Sequence, residues 1–184
     1  MRNLFLYRTW PDAFASTGRL RLRTFAERSA AHVKRWAVVY VGLVAIALWF
    51  HAHYGFGLNA SPSLPHRLFL IHKGEMPSRG DFVAFRWAGG GPYPAGVTFI
   101  KVLAGMPGDE VTRDAQGFHL NGVPVGVPKP VSRQGQVLEP GPTGRIPEGR
   151  YYVQAGHPDS LDSRYRLTGW IHASQIIGRA DALF

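Results

Sequence analysis

Fifteen consecutive residues without a charge, numbers 36–50 (WAVVYVGLVAIALWF), constrain this chain more than any other feature. As a helix they cover roughly 22 Å at about 1.5 Å per residue. That is somewhat short of a bilayer core of about 30 Å. Extending through His51 to Phe56 closes the gap and puts Trp36, Trp49 and Tyr54 where aromatic side chains gather at membrane–water boundaries. A buried core helix is the competing reading of a run this short. The flanks decide between them, because Lys34 and Arg35 stand directly before the run and no Lys or Arg follows until Arg67. Cations stay on the cytoplasmic side, so residues 36–56 are expected to be a transmembrane anchor with the N-terminus inside and the rest exported. The run begins late for a signal peptide and no small-x-small site follows it promptly, so the anchor is expected to stay uncleaved.

Charge supports the same division. The formal net charge is +9, yet residues 1–35 hold eight Lys/Arg against two Asp/Glu while the rest of the chain is close to balanced. The excess thus belongs to a basic cytoplasmic leader, 1–35, and bears on membrane topology more than on nucleic acid, for which no partner is expected. There is no cysteine. Disulfides, thiol nucleophiles, Cys-ligated zinc and iron–sulfur clusters are excluded together, and covalent catalysis must use an oxygen or nitrogen nucleophile.

Residues 57–184 read as one β-rich domain. Residues 81–87 (DFVAFRW), 99–103 and 151–154 are short β-prone runs. Asn121-Gly122, between Phe118-His119-Leu120 and Val123-Pro124-Val125, is a two-residue hairpin signal. Loops rich in Gly and Pro recur at 88–96 and 139–149, and no long amphipathic helix is visible. The expected fold class is mainly β, a small antiparallel domain after one N-terminal transmembrane helix.

Three segments carry residues that could do chemistry. Ser61-Pro62-Ser63-Leu64-Pro65 begins within about 40 Å of extended chain from the end of the apolar run, so a nucleophile there would lie near the membrane; a rigid linker has the same composition. In Thr98-Phe99-Ile100-Lys101-Val102-Leu103-Ala104 a lone lysine shares the face of a short strand with Phe99 and Leu103. It is either an edge lysine reaching water or a buried base. As a base it must be neutral, which requires its ordinary pKa of about 10.4 to fall; a three-unit drop is about 4 kcal/mol of desolvation. The third segment, residues 156–165 (GHPDSLDSRY), is dense in hydroxyls and carries Asp162 and Arg164 two residues apart; a surface loop with Asx turns has similar composition.

Taken together and in order, these segments resemble the type I signal peptidase family. The resemblance covers residues 58–184 and includes Gly105-Met106-Pro107-Gly108-Asp109 after the lysine strand, and Arg79-Gly80-Asp81-Phe82-Val83. Ser-Leu-Pro in place of Ser-Met-x-Pro is similar to the short branch associated with conjugative transfer and pilin maturation. The resemblance implies a signal-peptidase-like catalytic core in which Ser63 is the nucleophile and Lys101 the general base. It also implies that Ser61 joins the Ser63 backbone N–H in an oxyanion hole, that Ser160 holds the lysine amine, and that Asp162 and Arg164 form an ion pair bracing their loop. One departure stands out: the glycine that usually follows Arg-Tyr by about two residues is delayed to Gly169 by Arg166-Leu167-Thr168, which leaves the placement of Trp170-Ile171 open. The implied partners are the lipid bilayer and an exported precursor or propilin. The precursor would have small side chains at positions −1 and −3, lie as an added strand in a groove facing the membrane, and be cut after a small residue.

Other signals are weaker. Residues 55–60 (GFGLNA) nominally fit a dinucleotide fingerprint but follow a membrane helix rather than a strand. Gly89-Gly90-Gly91 lacks the lysine of a phosphate loop, and the histidines form no HExxH, so no cofactor and no catalytic metal is expected. Two rival functions fit parts of the same sequence. A non-catalytic tethered assembly factor would not need both Ser63 and Lys101 with the accessory hydroxyls. A self-cleaving DNA-binding repressor would show a helix-turn-helix in the leader and leave the apolar run unexplained.

Overall fold

The computed structural model describes the backbone of residues 11–61 and 63–184, with side chains from residue 25 onward. The chain divides after Trp49 into two compact units.

The first unit holds most of a single helix, α1 (Pro11–His53). Its stretch Phe25–His53 is 29 residues long with mean hydropathy 1.6 in its apolar window, and none of that window is buried. Val38, Val41, Ile46 and Leu48 are all more than half exposed. By length and composition the helix is sufficient to cross a membrane. Its limits differ from the expected anchor. The helix includes residues 11–35 of the expected leader, whose residues 1–10 lie outside the described residues, and it ends at His53, so that Tyr54–Phe56 belong to the first strand instead. The reason is pairing: Tyr54, Gly55 and Phe56 lie opposite His72, Ile71 and Leu70, so these aromatic residues join a ladder rather than a further helical turn.

The second unit, Phe50–Phe184, is antiparallel β. A seven-stranded sheet contains β1 (Tyr54–Leu58), β2 (Leu68–Lys73), β3 (Phe82–Arg86), β4 (Thr98–Gly105), β9 (Arg150–Gln154), β10 (Ile171–His172) and β11 (Ile176–Ala182). Its order is β1-β2-β11-β3-β4-β9-β10. A second sheet contains β5 (Glu110–Asp114), β6 (Gly117–Leu120), β7 (Val123–Gly126) and β8 (Gly144–Arg145), ordered β7-β6-β5-β8. The Asn121-Gly122 turn joins β6 to β7 with φ of 49° and 79°. Two successive positive φ values are what a two-residue hairpin requires, and Asn and Gly tolerate them best.

The large sheet is covered on both faces because its central strands alternate between two cores. Ala84 and Ile100 pack with Leu64, Phe69, Ile71 and Ala180, while Val83, Phe85 and Leu103 pack with Trp87, Val153 and Ile171. A third core of Val111, Phe118, Leu120, Val125, Ile146 and Tyr152 belongs to the small sheet. Between the two sheets in sequence, Asp109 pins the turn after β4 by accepting from the Met106 amide (2.7 Å), Arg79 (2.9 Å) and Asn121 (2.8 Å). Burial pushes its carboxyl up, but the bonds from Arg79, Met106 and Asn121 prevail and bring it down to about 2.

Candidate active site

Lys101 sits mid-strand in β4, opposite Val83 of β3, with β9 on the other side. Its strand neighbours Phe99 and Leu103 belong to a buried apolar cluster, so the side chain starts from the dry side of the sheet. It is 5% exposed. The Nζ donates to Ser160 Oγ at 2.8 Å and lies 5.9 Å from the Phe99 ring centroid. Burial pushes this amine down to about 8, with Asp162 opposing and Arg164 assisting the fall. The alternative of an edge lysine in water is therefore overturned by its central strand and near-complete burial.

Ser160 belongs to a loop between β9 and β10 that is built from within. The buried Asp162 accepts Arg164 Nε (2.8 Å) and Nη2 (2.8 Å), the bidentate geometry that fits a guanidinium to a carboxylate. Asp162 also accepts the Ala155 amide at 3.1 Å, and Ser163 Oγ accepts the Val153 amide at 2.9 Å, tying the loop back to β9. Gly141 lets another segment close over it: a Cβ there would stand 2.2 Å from the Ser163 carbonyl oxygen. Asp162 and Arg164 are 0% and 3% exposed, and neither lines the cavity described below. The delayed glycine is accommodated locally. The Thr168 and Gly169 amides both donate to the Tyr165 carbonyl, at 3.1 Å and 2.8 Å, and β10 then pairs Ile171 with Tyr151.

Ser61 and Ser63 lie in the connection from β1 to β2. Their hydroxyls are 2.8 Å apart, and Ser63 is 7% exposed. Both serines, Lys101 and Ser160 line one cavity of about 360 Å³, whose apolar wall includes Tyr93, Phe99, Ile100 and Leu161. The cavity thus gathers a hydroxyl that could attack, an amine lowered toward neutrality, and two further hydroxyls, beside surface suited to apolar side chains.

Two features of the cavity have no counterpart in the sequence reading. Asn59, met there only inside a rejected glycine pattern, hydrogen-bonds both serines through Oδ1, at 3.0 Å to Ser61 Oγ and 3.4 Å to Ser63 Oγ. Its place two residues before Ser61 is the signal that could have revealed it, since Asn readily accepts from the amide two positions on; here Ser61 N donates to it at 3.3 Å. The second is the segment 129–138, a small hairpin bridged at Val131 and Val137 that lines the cavity with Lys129, Arg133 and Leu138. Lys129 and Arg133 both pair with Asp159, next to Ser160. Nothing in the spacing of those charges announces that pairing.

The family model for signal peptidase, peptidase S26, matches residues 29–184. The chain belongs to this family. It is a signal-peptidase-type serine peptidase, and its mainly β architecture with one N-terminal apolar helix is that of a signal-peptidase-like protein. The chain is also similar to a solved signal peptidase I from Enterococcus faecalis V583, at 27% identity over 60% of this chain and 98% of that one, with a TM-score of 0.39. No curated protein matches.

Proposed function

We propose that this peptidase is anchored in the cytoplasmic membrane by α1, with a cytoplasmic leader and its β domain on the outer, periplasmic side, and that it cleaves exported precursors by a Ser63/Lys101 dyad. The observation that carries the reading is that Ser63 and a buried Lys101, its amine lowered to about 8, line the same cavity. At pH 7 about a tenth of such an amine is neutral, against well under a thousandth for an ordinary lysine. Neutral Lys101 takes the proton of Ser63 Oγ as that oxygen attacks the scissile carbonyl. The oxyanion is held by the Ser63 N–H and the Ser61 hydroxyl, each such donor contributing about 3–4 kcal/mol. The lysine ammonium, held by Ser160, then protonates the leaving amine and is neutral again to deprotonate the water that releases the acyl group.

Residues 36–53, the helical part of the anchor expected over 36–56, are the proposed membrane span behind the basic flank Lys34-Arg35, and the residues after it are the proposed exported peptidase domain. The uncovered apolar surface of α1 supports this, because lipid is the solvent that suits it. The Ser-Leu-Pro sequence after Ser61 supports placement in the conjugative-transfer or pilin-maturation branch, with a propilin as substrate. The apolar cavity wall suits small apolar side chains before the cut.

The test is to produce wild-type and Ser63→Ala proteins with exported precursors of the host and follow processing by mass spectrometry. Wild type gives a cut product and Ser63→Ala gives none while staying in the membrane fraction. Undiminished cutting by Ser63→Ala removes the nucleophile assignment. A product lighter than the cut chain by one water identifies an amine, rather than water, as the group that resolves the acyl-enzyme.

A further inference from the structure

We infer that Asn59 is a positioning residue for the reaction, one carboxamide that sets the direction of both the Ser61 and Ser63 hydroxyls. The inference rests on the reading of Ser63 as nucleophile. Among the described residues, the hydroxyls of these serines bond to Asn59 and to each other. They lie between β1 and β2 in a connection whose ends are joined by one backbone bond, Asn59 N to the Arg67 carbonyl at 2.8 Å. Within that connection the Asn59 side chain supplies the cross-links. Its Nδ2 donates to the carbonyls of Leu64 (3.3 Å) and His66 (3.1 Å). Its Oδ1 accepts from the Ser61 amide, the Ser61 hydroxyl and the Ser63 hydroxyl.

The orientation of the carboxamide follows from those partners. Two carbonyl oxygens can only accept, so the group facing them must be the NH2, and the oxygen necessarily faces the serines. Before substrate arrives Ser61 donates its single hydroxyl proton to Asn59, with its lone pairs toward Ser63 Oγ at 2.8 Å, and it turns that same proton to the oxyanion when one forms. Asn59 in this way fixes the hydroxyl proposed for the oxyanion hole and the nucleophile against each other before substrate arrives, and does so from a backbone held on both sides of Ser63. No other side chain of this size does both: aspartate would set a charge against two carbonyls, and alanine would leave all five bonds unmade. Preorganisation of this kind acts on the barrier rather than on substrate affinity, so its loss belongs in kcat.

The experiment uses the full-length protein in detergent with a precursor-derived peptide, comparing wild type, N59A, N59D, S61A, the N59A/S61A double variant, and S63A as reference. N59A is expected to lower kcat by ~10-fold, the effect of about 1.4 kcal/mol, with KM within about twofold and the melting temperature within a few degrees. N59D keeps the accepting oxygen and is expected to fall between N59A and wild type. Because Asn59 acts on Ser63 both directly and through Ser61, the double variant is expected to be slower than S61A, but by less than the full N59A factor. Wild-type kcat in a folded N59A or N59D, additive losses in the double variant, or a loss confined to KM or to melting temperature would each overturn the inference. Failure of both Asn59 variants to fold also overturns it, by assigning the residue to stability. If S63A itself remains active, the nucleophile reading has failed; if S63A is inert and N59A is normal, only the role of Asn59 has.

Discussion

The two segments that bring Ser63 and Lys101 to the cavity are held by different means. Lys101 belongs to a central strand bonded along both edges, and its amine is met by a loop locked with a buried ion pair. Ser63 belongs to a connection outside any ladder, cross-linked by the Asn59 side chain and tied at its end by the backbone bonds of Arg67 to Asn59 and Phe184. A base that must be kept dry needs walls, and a sheet covered on both faces provides them. A nucleophile that must meet a carbonyl needs aim, which a short tethered connection can supply from outside any ladder. The lysine side should therefore tolerate loss of its function without loss of fold, whereas its supporting loop should not tolerate loss of charge.

The largest expected effect is on Lys101 itself. Replacing it with methionine removes the base and should lower kcat by on the order of a thousandfold or more. It should also stabilise the protein. The folded amine titrates near 8 against an ordinary value of 10.5, so below pH 8 the buried charge opposes folding by about 3 kcal/mol. The sign follows: between about pH 8 and 10.5 the unfolded chain binds more protons than the folded one, and wild-type stability rises with pH across that window. Lys101→Met should melt above wild type at pH 7, with the difference shrinking as pH rises toward 10.5. A lower melting temperature at pH 7 would break the contrast.

Next in size is the ion pair. Asp162→Ala leaves Arg164 buried without its carboxylate and frees the Ala155 amide, a loss of about 3–5 kcal/mol by denaturant unfolding. A change under about 1 kcal/mol would show that the loop is braced by something else.

How much of this contrast could be read from the chain alone follows the same line. The lysine strand was legible because a polar residue among period-two apolar neighbours is conspicuous, and the structure gives those neighbours, Phe99 and Leu103, one core. The Asn121-Gly122 turn was legible because its backbone demands those residues. The serine connection was legible only in its motif. Asn59, which organises it, is polar, solitary and embedded in a pattern that pointed elsewhere. The helix stops three residues before the end of the expected anchor because Tyr54 and Phe56 suit a membrane boundary and a strand equally, and the choice is made by the distant partners His72 and Leu70. The pairing of Lys129 and Arg133 with Asp159 depends on a fold that brings residues some thirty apart together, which no local pattern encodes.

A smaller effect sharpens the lysine side further. Ser160→Ala removes the acceptor at 2.8 Å from Lys101 Nζ while leaving the strand intact. It should lower kcat by ~10-fold, with KM little changed and stability within about 1 kcal/mol. An unchanged kcat would mean that the strand alone aims the amine.

The proposed dyad depends on Lys101 losing its proton near pH 8, and the pH dependence of kcat/KM for the wild-type enzyme on a precursor peptide reports that loss. Activity should climb about tenfold per pH unit on the acid side, bend near pH 8 and level off above it, since only the neutral amine is the base. A profile flat from pH 6 to 9, or one that keeps climbing to the ordinary lysine value near 10.4, would contradict it.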